Sequence, residues 1–121
     1  MGLQISIRQS GEVTVVDLQG KATIGRDTDL LNNQLRSLIA EGKRKLLLNL
    51  TSLTQVDSSS LSAIVRAFVS CGREGGSLKL LRPCGSVKLV LATLHLLDVI
   101  PSYDDYREAL ASFTFRPHAA P

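Results

Sequence analysis

Tryptophan is missing from this 121-residue chain, and aromatic residues of any kind are few, with three Phe and two Tyr. Bases have no aromatic series to stack on, and a formal net charge of +3 gives no strong basic field. Both absences argue against a nucleic-acid-binding protein. Histidine is as scarce: His95 and His118 stand apart, and neither has the paired cysteines that a metal site requires. The two cysteines, Cys71 and Cys84, read as reduced thiols of a cytoplasmic protein. No apolar run reaches the length of a membrane span, so no membrane insertion is expected. The opening MGLQISIRQ lacks a basic segment followed by an apolar one, so no signal peptide is expected. Gly2 and Ser6 fit the permissive N-myristoylation pattern, but the side chains around them alternate as a strand does.

Catalytic patterns are equally thin. Neither G-x-x-x-x-G-K-[ST] nor G-x-G-x-x-G occurs; Gly20-Lys21 follows a strand, but Val15 stands where the first glycine would be and Ala22 follows the lysine. Asp57-Ser58 sits at a strand-to-helix turn, as hydrolase nucleophiles do, yet VDSSS has no glycines to relieve a strained elbow. A general base would have to be His95, which nothing in the sequence aims. The pair Asp104-Asp105 is accounted for by the first turn of a helix, where the dipole favours carboxylates. These readings exclude a phosphate-binding loop, leave no metal site in view, and keep a serine hydrolase only as a third reading, which fails if no activity depends on Ser58.

What is present is one α/β domain. Hydrophobic residues make up 44% and charged residues 21%, the proportions of an ordinary globular core and surface. Residues 3–8 alternate apolar and polar, Ser10-Gly11-Glu12 turns, and Val13 to Leu18 forms a second strand. A polar connection from Lys21 leads to a helix from about Asp27 to Glu41, with Leu31, Leu35, Leu38 and Ile39 as its apolar stripe and Gly42 as its stop. Lys43-Arg44-Lys45 then complements that helix's C-terminus. Leu46 to Leu50 reads as a strand buried on both faces, followed by a polar passage from Thr51 to Gln55. Leu61, Ile64, Val65, Phe68 and Val69 mark the stripe of a second helix, for which Ser58 is the expected N-cap.

After Gly75-Gly76, SLKLL (77–81) is a strand, and Val87, Val90, Leu91 and Leu94 mark a third helix. Leu96 to Ile100 reads as a last strand stopped by Pro101. Ser102 is then the expected cap of a fourth helix that buries Tyr106, Ala109, Leu110 and Phe113. The order β-β-α-β-α-β-α-β-α favours a mixed, largely parallel sheet packed by helices, over residues 1–113, with a frayed tail at 114–121.

QVDSSSLSAIV resembles the D-S-S/T-G-L-G signature of the anti-anti-sigma factor (STAS domain) family. LLLNLTSL, GREGGSLKLL, Val87 to Leu97 and SYDDYREAL resemble the family's neighbouring elements in the same order, over roughly residues 3 to 113. The resemblance implies a non-catalytic regulator with no cofactor, an anti-sigma factor antagonist. Its Ser58 would be phosphorylated by a partner that is both anti-sigma factor and serine kinase, and restored by a PP2C-type phosphatase. Asp57, Ser59, Ser60, Ser62, Arg66 and Thr23 would meet that partner. Ser60 and Ser62 stand where the family has glycines, so both are expected to add side chains to the contact surface. Asn49 stands in place of an acidic residue, and Lys21-Ala22-Thr23 lacks the family's acidic residue in the loop after the second strand. An unswitched STAS subunit of a signalling or lipid-transport assembly is the alternative reading.

Overall fold

The computed structural model describes residues 2–23 and 25–114. Strands β1 (Leu3–Ser10) and β2 (Val13–Ala22) form an antiparallel hairpin, with Ser10 opposite Val13. Gly11 takes a positive φ of 62° at the first of the two turn positions, where a side chain would be strained. Glu12, at the second, forms an ion pair with Lys45 at the start of β3 (Lys45–Val56). Helix α1 (Arg26–Ala40) joins β2 to β3, α2 (Ser58–Arg73) joins β3 to β4 (Ser77–Leu81), and α3 (Gly85–Thr93) begins the path to β5 (Ser102–Tyr103). Helix α4 (Tyr106–Thr114) closes the described chain. The sheet order is β1-β2-β3-β4-β5, with every pair after the hairpin parallel. Among the described residues, no helix is long and apolar enough to cross a membrane.

Successive strand residues face opposite ways, so Leu46, Leu48 and Leu50 enter one core and Leu47 the other, all with at most 1% exposure. The larger core lies under α1, α2 and α3, built on Leu31, Leu35, Ile64, Leu80 and Leu91 among others. The smaller lies under α4, where Val13, Val15, Leu47 and Leu81 meet Ala109 and Phe113. The strand buried on both faces and the fourth helix's apolar face are therefore as expected, with Tyr106 and Leu110 half-buried at the margin.

Several local expectations are corrected. The stretch Thr51 to Gln55 is strand, not loop: β3 runs on to Val56 and β2 to Ala22, paired through register shifts after Asp17 and Gly20. The Thr54 hydroxyl donates to the Gly20 carbonyl at 2.9 Å across that irregular stretch. The last strand is Ser102–Tyr103, not Leu96–Ile100. His95 adopts a left-handed φ of 61°, which turns Leu96–Asp98 into a 3₁₀ turn and leaves Ile100 as a buried plug. Pro101 opens the strand rather than stopping it, because only its carbonyl is needed, accepting from the Leu80 N–H at 2.9 Å. Ser102 lies in that strand; the Asp105 carboxylate instead accepts from the Glu108 N–H at the start of α4. Thr114 is the last residue of α4, and the rest of the expected frayed tail, 115–121, lies outside the described residues.

The stripe of α2 is also rotated from expectation. Ser60, Leu61, Ala63, Ile64, Ala67 and Cys71 are buried, Val65 and Phe68 are half-buried, and Val69 is 43% exposed. Small residues face the sheet because α2 sits close to it. Cys71 Sγ lies 3.7 Å from the Arg44 carbonyl, and a Cβ on Gly76 would strike that same carbonyl.

Candidate functional site

The parallel strands β2 and β3 run on past β4 and end together at one end of the sheet. Ala22 pairs with Val56, so the chain leaving β2 through Thr23 and the chain entering α2 through Asp57 emerge side by side. The carboxyl ends of parallel strands are where α/β sheets commonly place their ligands.

Asp57, not Ser58, caps α2. It has an extended backbone (φ −127°, ψ −177°) and accepts from the Ser60 N–H at 3.0 Å. The Ser60 hydroxyl returns a bond to Asp57, accepting from its N–H at 3.1 Å and lying 3.0 Å from its carbonyl. This reciprocal box satisfies two backbone donors that a helix end leaves orphaned. A carboxylate reaches the third residue of the first turn, and the serine there can reach back. Ser58 occupies the first helical position, from which its side chain points away from that box.

The serines of DSSS therefore part company. Ser58 is exposed, Ser59 half-buried, and Ser60 has 0% exposure. The expectation that Ser60 contacts a partner and adds a side chain to that surface is corrected, because its hydroxyl is spent inside the cap. Ser62 is exposed beside Ser58, as expected, and Arg66 lies two turns along the same side. Thr23 is brought to the same end by register; its hydroxyl lies 3.4 Å from Asp27 Oδ2, and its carbonyl accepts from the Thr28 hydroxyl at 2.9 Å.

A groove of about 370 Å³ opens beside Ser58, lined by Leu61, Ser62, Val65, Arg66, Leu94 and Leu96. Sequence reasoning missed Leu94 and Leu96. Leu94 fits the periodic stripe of α3, but it falls at the helix end and is 54% exposed. The left-handed His95 directly after it carries the chain around the groove. Helix α3, which ends at this groove, is braced to the sheet at its start, where the Ser86 hydroxyl donates to the Thr54 carbonyl at 2.9 Å. Such an arrangement can bind an apolar side chain beside a free hydroxyl at the positive end of a helix dipole.

Asn49 lies on the opposite face of the sheet, away from this tip. Its amide donates to Asp17 at 2.7 Å, and its oxygen accepts from the Thr51 N–H at 3.1 Å. Arg8 forks onto the same Asp17 at 2.6 and 3.2 Å. Burial alone would raise the Asp17 carboxyl; hydrogen bonds from Arg8 and Asn49, with the Arg8 charge, outweigh it and hold the carboxyl below its usual value.

The fold and tip together define a class: a single α/β domain that presents a serine at the head of its second connecting helix, beside an apolar groove. The model of the STAS domain family matches residues 4–109, and this chain belongs to that family. A Thermotoga neapolitana homologue of TM1081, named for anti-sigma factor antagonism, is 36% identical over 70 residues. That match takes in 58% of this chain and 62% of the relative, so it spans less than two thirds of the relative's length. The fold is similar to the crystal structure of TM1081 from Thermotoga maritima, with a TM-score of 0.86 and 23% identity over 92% of this chain and 95% of that one. It is also similar to the Bacillus cell fate determinant SpoIIAA in its phosphorylated form, with a TM-score of 0.70 and 18% identity over 92% and 98% of the two chains.

Proposed function

We propose that this protein is an anti-sigma factor antagonist that works in the cytoplasm and is switched by phosphorylation of Ser58. The partner is an anti-sigma factor that is also a serine kinase, and a PP2C-type phosphatase reverses the modification. The observation that carries the reading is the position of Ser58: exposed, at the first turn of α2, on the rim of an apolar groove, with the cap supplied by other residues. The name of the Thermotoga neapolitana relative supports the antagonist part of this reading.

A phosphate on Ser58 adds about −1.5 to −2 charges. The helix dipole favours it by about 0.3–1 kcal/mol, and the neighbouring Asp57 carboxylate opposes it. Because the Asp57–Ser60 box does not use the Ser58 hydroxyl, phosphorylation leaves the cap and the core intact. The switch then acts at the surface: a new dianion beside the groove repels and desolvates poorly against a partner that fits the unmodified tip. Asp57, Ser59, Ser62, Arg66 and Thr23 surround that contact. The protein itself performs no catalysis in this scheme.

Intact mass after incubation with ATP and the nearest encoded anti-sigma kinase tests the proposal, with Ser58→Ala alongside. One phosphate on the wild type and none on the variant is the expected result. Phosphate on both would move the site to another serine. None on either, with the kinase active on another substrate, would favour the unswitched subunit.

A further inference from the structure

A second and larger groove, of about 600 Å³, runs between α1 and α2. On α1 it is lined by Asn32, Leu35, Arg36, Ile39 and Ala40, an i, i+3, i+4, i+7, i+8 stripe two turns long. Across from it, α2 contributes Arg66, Ala67, Ser70, Arg73 and Glu74, again over two turns, so the groove is about 12 Å long. Its floor is aliphatic and its walls are cationic: four guanidiniums, Arg44 included, face a single carboxylate. Arg44 is committed, donating to the Ile39 and Lys43 carbonyls and lying 3.4 Å from Glu74. Arg36, Arg66 and Arg73 are exposed and form no ion pair among the described residues. Like charges gathered around an open cleft repel one another until an anion enters, and the guanidinium fork suits carboxylates.

We infer that this groove receives an acidic amphipathic helix of the anti-sigma partner, its apolar ridge on Leu35, Ile39 and Ala67 and its carboxylates on Arg36, Arg66 and Arg73. The aliphatic floor between the arginines favours a side-chain ridge over a free small anion, which would meet the guanidiniums but leave the apolar floor uncovered. Arg66 lines both grooves, so the two surfaces are continuous along α2. This rests on the function proposed above and adds a second point of contact. Phosphorylation at Ser58 would break the tip contact while leaving the arginine contact in place, about 22 Å away at Arg73 by helix rise. The partner would be weakened without being wholly released.

The test measures affinity for the nearest encoded anti-sigma factor at low and high salt, for the wild type and an Arg36→Glu/Arg73→Glu double variant, with melting curves to confirm folding. The expected result is a loss of about tenfold at low salt that shrinks at high salt, as rim charges behave. An Arg36→Gln/Arg73→Gln pair should lose less. Unchanged affinity in both variants overturns the inference and leaves the Ser58 reading standing. A wild type that does not bind the anti-sigma factor removes that reading and the inference with it. Inorganic phosphate shifting the amide resonances of residues 32–40 and 66–74, with affinity unchanged by charge reversal, would make the groove a small-anion site and overturn the inference.

Discussion

The two faces of the sheet are built from the same strands but not on the same plan. Under α1, α2 and α3, the row Val16, Leu48 and Leu80 crosses three neighbouring strands as continuous apolar surface. On the α4 face, the equivalent row reads Arg8, Val15, Leu47 and Lys79: an apolar centre with a cation at each end. Arg8 forks onto Asp17 and stacks 5.3 Å from the Tyr106 ring, while Lys79 donates to the Ser112 carbonyl and lies 4.6 Å from the Phe113 ring. A face that must hold three helices, one of them carrying the candidate site, is apolar across its central strands. A face covered by one short helix needs a small apolar island and a polar border that keeps the remaining sheet wetted.

Adjacent leucines separate the faces most sharply. Leu48→Ala should cost about 4–5 kcal/mol, because neighbouring strands and the three helices packed over this face hold the cavity open. Leu47→Ala, one residue away and equally buried, should cost about 3 kcal/mol, because a nine-residue helix can settle into the space. Urea denaturation of both variants checks the order; equal losses would show the smaller core to be as rigid as the larger.

The polar border is the next target. Asn49→Asp would set a carboxylate against Asp17 at the present 2.7 Å contact. Destabilisation of about 1–2 kcal/mol is expected at neutral pH, relieved as the pH falls and one of the pair takes up a proton. A pH series of melting temperatures reads this directly, and a variant as stable as the wild type throughout would show that Arg8 alone can balance both carboxylates.

On the face that carries the candidate site the comparison narrows to two serines. Ser60→Ala should cost about 1 kcal/mol through loss of the capping box, and Ser58→Ala less than about 0.5 kcal/mol. Thermal melts rank them, and a reversed order would place the cap at Ser58. The smallest effect belongs to Asp17 itself. Its folded carboxyl titrates below the unfolded value, so its contribution is complete above about pH 4 and is lost as pH falls through the folded value. Asp17→Asn should flatten that acid limb, and an unchanged limb would assign it to other carboxylates.

Most of the architecture was legible in the chain because the signals are local. Alternation in residues 3–8, the Leu46 to Leu50 run and the Leu31, Leu35, Leu38 spacing each state a period, and the period states the element. Two of the misreadings fell where two local signals were equivalent. Asp57 and Ser58 are both good caps, and only the path out of β3 chose the aspartate. Leu94 and Leu91 both belong to the α3 stripe, and only the end of the helix left Leu94 in the open.

The sequence by itself determined the order of elements, the double burial of β3 and the presence of a serine-rich helix start, since each follows from side chains within a few positions of one another. The tertiary structure alone decided which serine faces solvent, where the fifth strand pairs, and that arginines from α1 and α2 share one groove. Those outcomes depend on residues far apart in the chain, and on a helix's rotation about its axis, which is set by the layers packed against it.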